Sequence, residues 1–310
     1  MGPVMTSSPR LAVAGLLLAT LCWSGNALVA RAFAGEIPPL ALSFWRWSLA
    51  LVLLLPFVVK PLWQHRAALR AAGWRLLVLA GIGIAGYNSL LYAAAQTTAA
   101  INITLVNTCL PLMTFIGAGL LLGEWPQRRA WWGMAVAAVG LLVLISKGSW
   151  ASLSGLAFNK GDLIMLLAVA DWALYSLLLR RWASYLLPIP ALALLGVLML
   201  LGVPLILPFY LYELSQGTHF NLNAENLAAI SYTAIFASLL AYLAWNNAVR
   251  VLGAAKAALS NYLMPVFTAV LAWLLLGEGL QGYHWLGAAL IFTGLLLGTQ
   301  GWAKLRQATR

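Results

Sequence analysis

The chain has 310 residues, 63% of them apolar and 8% charged, with a mean hydropathy of +0.90 and a formal net charge of +11. Soluble domains carry roughly 45–50% apolar and about 25% charged residues, so this composition excludes a soluble enzyme, a disordered chain and a nucleic-acid reader. The 18 basic residues are spread thinly between apolar runs, which points to loops on the inner face of a membrane rather than to a polyanionic partner.

A bilayer core about 30 Å thick needs about 20 apolar residues per helix. Ten runs meet that length, near 11–33, 40–60, 74–95, 99–122, 130–146, 161–179, 189–211, 227–249, 254–277 and 283–302. The first is too long for a signal-peptide core and the next spans follow directly, so it reads as an uncleaved helix. The runs are continuous rather than alternating, which excludes a β-barrel, and the short connections leave no room for a soluble domain. With the N-terminus inside, 14 of the 18 basic residues fall on the inner side and three (Arg31, Lys147 and Lys160) on the outer, while Arg46 lies within span 2. Both termini are therefore expected in the cytoplasm.

Cys22 and Cys109 sit inside apolar runs and His65, His219 and His284 lie far apart, so neither a disulfide framework nor a metal centre is expected. No glycine-rich turn follows a strand and opens a helix, so nothing suggests nucleotide binding, ATP drive or any cofactor.

Residues 99–145 align without gaps on 253–299 at an offset of 154, with 18 identities in 47 positions. Asn107/Asn261, Pro111/Pro265, Trp131/Trp285, Gly133/Gly287 and Gly140/Gly294 coincide, and LLLGE occurs at 120–124 and again at 274–278. At an offset of 149, Trp23 aligns with Trp172, Arg31 with Arg180 and Pro39 with Pro188. Each copy thus holds five spans, and an odd number inserts the second copy upside down. The expected fold is an all-α membrane protein of ten helices in two inverted five-helix repeats around a central cavity, with units 10–146 and 161–303. Such repeats characterise secondary transporters, which expose one site alternately to either side.

Ten spans in two fives, with a Pro-bearing fourth span ending in LLLGE, resemble the drug/metabolite transporter superfamily, in particular its EamA-type branch of bacterial exporters. The likeness covers residues 10–303, and the Trp- and Tyr-rich positions resemble those of the YddG-type aromatic amino acid exporters. The resemblance implies export of amino acids or related metabolites across the inner membrane. It also implies a cavity lined by spans 1, 3, 4, 6, 8 and 9, with spans 5 and 10 peripheral. The expected partners are an amino acid or small metabolite and the lipid bilayer, without nucleic acid, and a monomer is the expected assembly.

Polar groups inside lipid are costly, so each one near mid-depth asks for a reason. Asp171 lies about ten residues into span 6, roughly 15 Å deep at 1.5 Å per residue, and its repeat partner is Cys22. It reads either as a proton-coupling or amino-group-binding carboxylate or as a group bonded to a neighbouring helix. Arg46 is suited to holding a substrate carboxylate, but snorkelling to the outer surface or pairing with Glu36 is the favoured reading. Trp23 and Trp172, related by the repeat, offer apolar and cation–π surface to a substrate. Asn88 and Tyr92 share one helical face and align on Tyr242 and Asn246, extended by Ser238, which suggests two gates at opposite depths. Tyr87 and Trp245 flank these stripes. Each Asn-x-x-x-Pro, at Asn107–Pro111 and Asn261–Pro265, removes a donor and frees the Asn carbonyl, giving a hinge and a polar contact. The glycines at 81, 83 and 86 and the Gly133/Gly140 and Gly287/Gly294 pairs permit close helix contact.

A multidrug carrier of the same fold would lean on Asp171, and a nucleotide-sugar carrier would need more basic groups at depth than Arg46 alone. An intramembrane enzyme would need a nucleophile–base pair that no span supplies.

Overall fold

The computed structural model describes residues 8–98, 103, 106–107, 109–147, 149, 159–276 and 281–300. All regular structure among these described residues is helical. Ten principal helices run in chain order: α1 Pro9–Ala32, α2 Pro39–Gln64, α3 Trp74–Ala95, α4 Cys109–Leu122, α5 Arg128–Ile145, α6 Lys160–Arg181, α7 Ala191–Ser215, α8 Ala224–Leu252, α9 and α10 Gly282–Gln300. Helix α9 begins as Ala254–Leu259, tightens to a 3-10 turn at Ser260–Leu263 and continues as Met264–Leu276. Eight helices have described stretches long and apolar enough to cross a bilayer, and the shorter apolar stretches Cys109–Leu122 and Gly282–Gly298 belong to α4 and α10. Most of the first turns of span 4, expected from residue 99, lie outside the described residues, as do Gly277 and Glu278 of the second LLLGE.

Local chemistry sets the helix ends. Ser8 caps α1 by accepting from the Leu11 amide, with Pro9 in the first turn where its missing N–H costs nothing. Asn159 and Asp162 form a reciprocal capping box at α6. Helix α2 is capped by α7: the Glu213 carboxylate accepts from the amides of Leu40 (3.1 Å) and Ala41 (2.7 Å), placing negative charge where the helix dipole is positive. Between α8 and α9, Gly253 turns the chain at φ +90°, a conformation that L side chains rarely adopt.

The outward surface is apolar, as lipid requires: Phe57, Trp63, Leu120 and Leu167 are each more than half exposed. The interior holds alanines, aromatic rings and the polar side chains Ser24, Asn26, Ser43, Arg46, Asn88 and Ser238. Helices α5 and α10 meet through glycines. A Cβ on Gly133 would lie 2.5 Å from the Gly294 carbonyl oxygen, and one on Gly140 would lie 2.7 Å from that of Gly287. Backbones that close tolerate no side chain.

Among the described residues, three helices contain π turns: α3 at Gly81–Gly86, α4 at Ala118–Leu122 and α8 at Thr233–Leu240. The repeat offset carries residues 81–86 onto 235–240, so the widened turn recurs in both halves. Such turns cluster at functional sites.

Candidate functional site

A cavity opens between the two halves, with about 830 Å³ of empty space when its open mouth is counted. Its walls come from α1 (Trp23, Asn26, Ala27), α3 (Tyr87, Asn88, Leu91), α4 (Pro111), α6 (Met165, Trp172), α8 (Tyr242) and α9 (Asn261, Tyr262, Met264, Pro265, Thr268), with Ile103 and Asn107, which precede α4, beside them. These are the helices expected from the family resemblance. Helix α5 adds Leu141, so it is not wholly peripheral. The lining residues sit in the later turns of α1, α3 and α5 and, apart from Trp172, in the early part of α6. The cavity therefore lies in the half of the molecule holding the α3–α4 and α5–α6 connections.

At its other end an aromatic plug closes the passage. Trp23 meets Trp172 edge-on at 5.3 Å and Trp245 at 5.2 Å, while Trp172 stacks on Tyr175 at 5.0 Å and meets Tyr242 at 5.2 Å. Hydrogen bonds fix these rings: Trp23 Nε1 donates to the Ala237 carbonyl (3.0 Å), Trp245 Nε1 to Ser176 (3.2 Å) and Tyr175 Oη to Asn246 Oδ1 (2.9 Å). The Ala237 carbonyl belongs to the π turn of α8. Beyond the plug, Arg180 at the end of α6 donates twice to Glu124 Oε1 (3.1 and 3.2 Å), tying the α4–α5 connection to the second half.

Arg46 departs most from expectation. It neither snorkels nor pairs with Glu36; its side chain is 0% exposed. Its Nε donates to Ser238 Oγ (2.8 Å), and its Nη1 donates to Asn88 Oδ1 (2.8 Å), Tyr92 Oη (2.5 Å) and Asn26 Oδ1 (3.3 Å). Tyr92 Oη also donates to Asn26 Oδ1 (2.8 Å). Oxygens from α1, α3 and α8 thus converge on a cation that points inward from α2.

That network also revises the two gates. Asn88 Nδ2 donates to Tyr242 Oη (3.0 Å), which donates to the Gly83 carbonyl (2.7 Å), so the two stripes join at one level. Tyr92 lies behind the wall on Arg46, and Asn246 lies behind the plug. Asp171 does not line the cavity. It stands at the α3–α6 contact, where a Cβ on Gly86 would come within 2.8 Å of its Oδ1 and where its Oδ2 is buried without a partner.

The Asn–Pro pairs do reach the cavity, but the Asn261 carbonyl is not left free. The Met264 amide bonds it, which is what tightens α9 into its 3-10 turn. The Asn107 amide donates to Met264 Sδ at 3.6 Å, linking the residues just before α4 to α9, and the Met264 carbonyl accepts from Ser24 Oγ (3.1 Å). The sequence reading missed Asn26, Tyr175 and Tyr262. Asn26 follows Trp23 by three residues on one face of α1, a spacing that would have marked it.

The family comparison decides the broader assignment. The EamA-like transporter family matches twice, over residues 10–146 and 159–299. The chain belongs to the EamA-like transporter family. It is a multi-pass membrane protein of the drug/metabolite transporter superfamily, and its family and named relatives are those of transporters. It is 28% identical to the uncharacterized transporter YyaM of Bacillus subtilis (strain 168), over 86% of this chain and 87% of that one. It is 28% identical to a probable amino-acid metabolite efflux pump of Salmonella typhimurium, over 94% and 96% of the two chains. It is 27% identical to the uncharacterized inner membrane transporter YedA of Escherichia coli (strain K12), over 91% and 88%. A solved crystal structure with 22% identity superposes with a TM-score of 0.77 over 96% of this chain and 99% of its own, which shows a shared fold.

Proposed function

We propose that this EamA-like chain is a secondary carrier exporting amino acids, aromatic ones included, across a bacterial inner membrane by alternating access. The observation that carries this reading is the cavity between the inverted halves, walled by amides (Asn26, Asn88, Asn107, Asn261) and rings (Trp23, Tyr87, Trp172, Tyr242, Tyr262). Such a wall suits a small zwitterion with a bulky apolar side chain. The name of the Salmonella typhimurium relative supports the substrate class. Pro111 and Pro265 serve as hinge points, Asn107 and Asn261 as wall contacts, and Asp171 as a group sensitive to the α3–α6 contact. A cationic-drug carrier is disfavoured, because among the described residues no acidic side chain lines the cavity.

The basic-residue bias supports a reading with both termini in the cytoplasm and the open cavity toward the outside. An impermeant thiol reagent applied to intact cells should label a cysteine at His219 and spare one at Ala67, both exposed positions; the reverse pattern overturns the orientation. For function, purified protein in liposomes should catalyse counterflow of labelled phenylalanine, with and without a proton gradient. Failure to move any proteinogenic amino acid overturns the substrate assignment.

A further inference from the structure

Arg46 is a full positive charge buried in the membrane interior. Among the described residues no carboxylate lies within ion-pair distance of it, and its Nη2 is buried without a hydrogen-bond partner. Four neutral oxygens solvate the rest of the guanidinium. Ionisable groups at such depth are expensive and mark function by default, and an uncompensated buried cation is among the costliest. Cation–π contacts with Trp47 (5.2 Å) and Tyr92 (5.8 Å) add to those bonds, yet among the described residues no countercharge offsets the cation.

The cation imposes an orientation on the cavity wall. Asn26 and Asn88 both line the cavity and both turn Oδ1 toward Arg46. The hydrogen-bond network therefore fixes which way each amide points. With Oδ1 committed, Asn26 presents its Nδ2 hydrogens to the cavity. Asn88 Nδ2 spends one hydrogen on Tyr242 Oη and keeps the other. The wall thus shows amide donors backed by a positive charge in a low-dielectric setting, where electrostatic attraction is far stronger than in water. No acidic side chain of the described wall offsets it.

We infer that Arg46, acting through Asn26 and Asn88, makes the substrate carboxylate the group that this carrier recognises, so that organic acids lacking an amino group bind and amines lacking a carboxylate do not. Arg46 is a positioning and specificity-determining residue that does not touch the substrate. The inference rests on the carrier reading above and narrows it: the acid end, not the ammonium end, carries selection.

The test is calorimetric binding to the purified full-length protein in detergent, with three probes of one shape: phenylalanine, 3-phenylpropionate and phenethylamine. The two carboxylates should bind, and phenethylamine should bind at least about tenfold more weakly. Asn26→Asp gives the buried cation a carboxylate partner, so folding is kept while the positive potential is cancelled. In that variant 3-phenylpropionate should lose at least about tenfold in affinity and phenethylamine should gain. Arg46→Lys keeps a charge and should keep the acid-over-amine order. Because a carboxylate at position 26 also faces the cavity, Arg46→Gln, which removes the charge and keeps amide donors, must shift the order the same way; a purely structural network would leave the order of the three probes unchanged in Arg46→Gln. That result, phenethylamine binding within about threefold of 3-phenylpropionate in the unaltered protein, or no binding by either carboxylate overturns the inference. Binding of acids without their transport in liposomes would instead overturn the carrier reading and leave the inference standing.

Discussion

Asp171 brings a carboxyl group into a contact that gives it little. Its Oδ2 is buried without a partner, and beside Gly86 the carboxyl takes a hydrogen bond from the Tyr87 backbone amide. Leaving a buried polar atom unpaired costs about 1–3 kcal/mol, so Asp171→Asn, which keeps the shape and removes the ionisable group, should unfold at a temperature no lower than the parent. A fall of more than a few degrees would mean the carboxylate has a stabilising role that its surroundings hide. Gly86→Ala should be worse than Asp171→Asn, because its Cβ would crowd that carboxyl. Trp172 is 2% exposed and sits at the junction of the plug and the cavity. Truncating a buried Trp to Ala typically costs 3–5 kcal/mol, and Trp172→Ala should lower thermal stability markedly while Trp172→Phe recovers most of it. Several of these residues were legible as sequence: mid-span position and repeat symmetry were enough to single out Trp23, Trp172, Asn107 and Asn261. Arg46 was not, because its position six residues into span 2 is equally compatible with an exit to the surface. Only the convergence of Ser238, Asn88, Tyr92 and Asn26 from three other helices keeps it inside, and that convergence is a tertiary fact.

Among the elements, α9 shows what a proline does when the chain has room to adjust. Pro265 supplies no amide to the Asn261 carbonyl, and the Met264 amide takes it instead, one residue early. Pro265→Ala should let the new amide compete for that carbonyl and relax the 3-10 turn toward α-helix. Through the repeat, Pro111→Ala should act on α4 and bias the facing equilibrium the opposite way. Thiol accessibility of a cysteine at Ala27, in the cavity wall, reads both: equal shifts of the same sign would make the bends static packing features. The Glu124–Arg180 pair offers a second handle. Both side chains are more than a third exposed, and such pairs contribute about 0–1 kcal/mol. Glu124→Gln should therefore loosen the closed end by no more than about fivefold in population, read as reduced labelling at the same cysteine. Helix number and approximate limits followed from apolar run length, and the hinge positions from Asn-x-x-x-Pro. The π turns did not, because an added residue per turn leaves the apolar count of a span unchanged; only the glycines of α3 hinted at irregularity.

For the whole molecule, the glycine seam between α5 and α10 holds the two halves together. A Cβ on Gly133 would meet backbone atoms of Gly294 and Gly298 at 2.5 Å, and backbone has nowhere to move. Gly133→Ala should force the helices apart and sharply reduce folded yield in membranes, whereas Gly35→Ala, with nothing within 4 Å, should behave as the parent. Equal yields would show the seam to be more plastic than its spacing implies. The inverted architecture itself was readable, since five spans per copy dictate the inversion. How the two gate stripes meet was not readable, because sequence gives each residue's depth in its own helix but not the offset between helices.

The aromatic plug has a consequence for the direction of turnover. Under the repeat, Trp23 and Trp172 exchange places, but Tyr175, Tyr242 and Trp245 map onto Asn26, Asn88 and Leu91. When the halves trade roles, a stopper of rings is replaced at the far end by two amides and a leucine. Each well-placed aromatic pair is worth about 0.5–1.5 kcal/mol beyond its burial, so on the proposed alternating-access cycle we expect the two facing states to be unequally populated, with the plugged state favoured. Substrate offered to the cavity side then meets a ready site, while substrate offered to the plugged side must draw on a minority population and saturates at higher concentration. On that proposed cycle, half-saturation measured in liposomes should differ between the two faces, and equal values would show that the plug adds no bias.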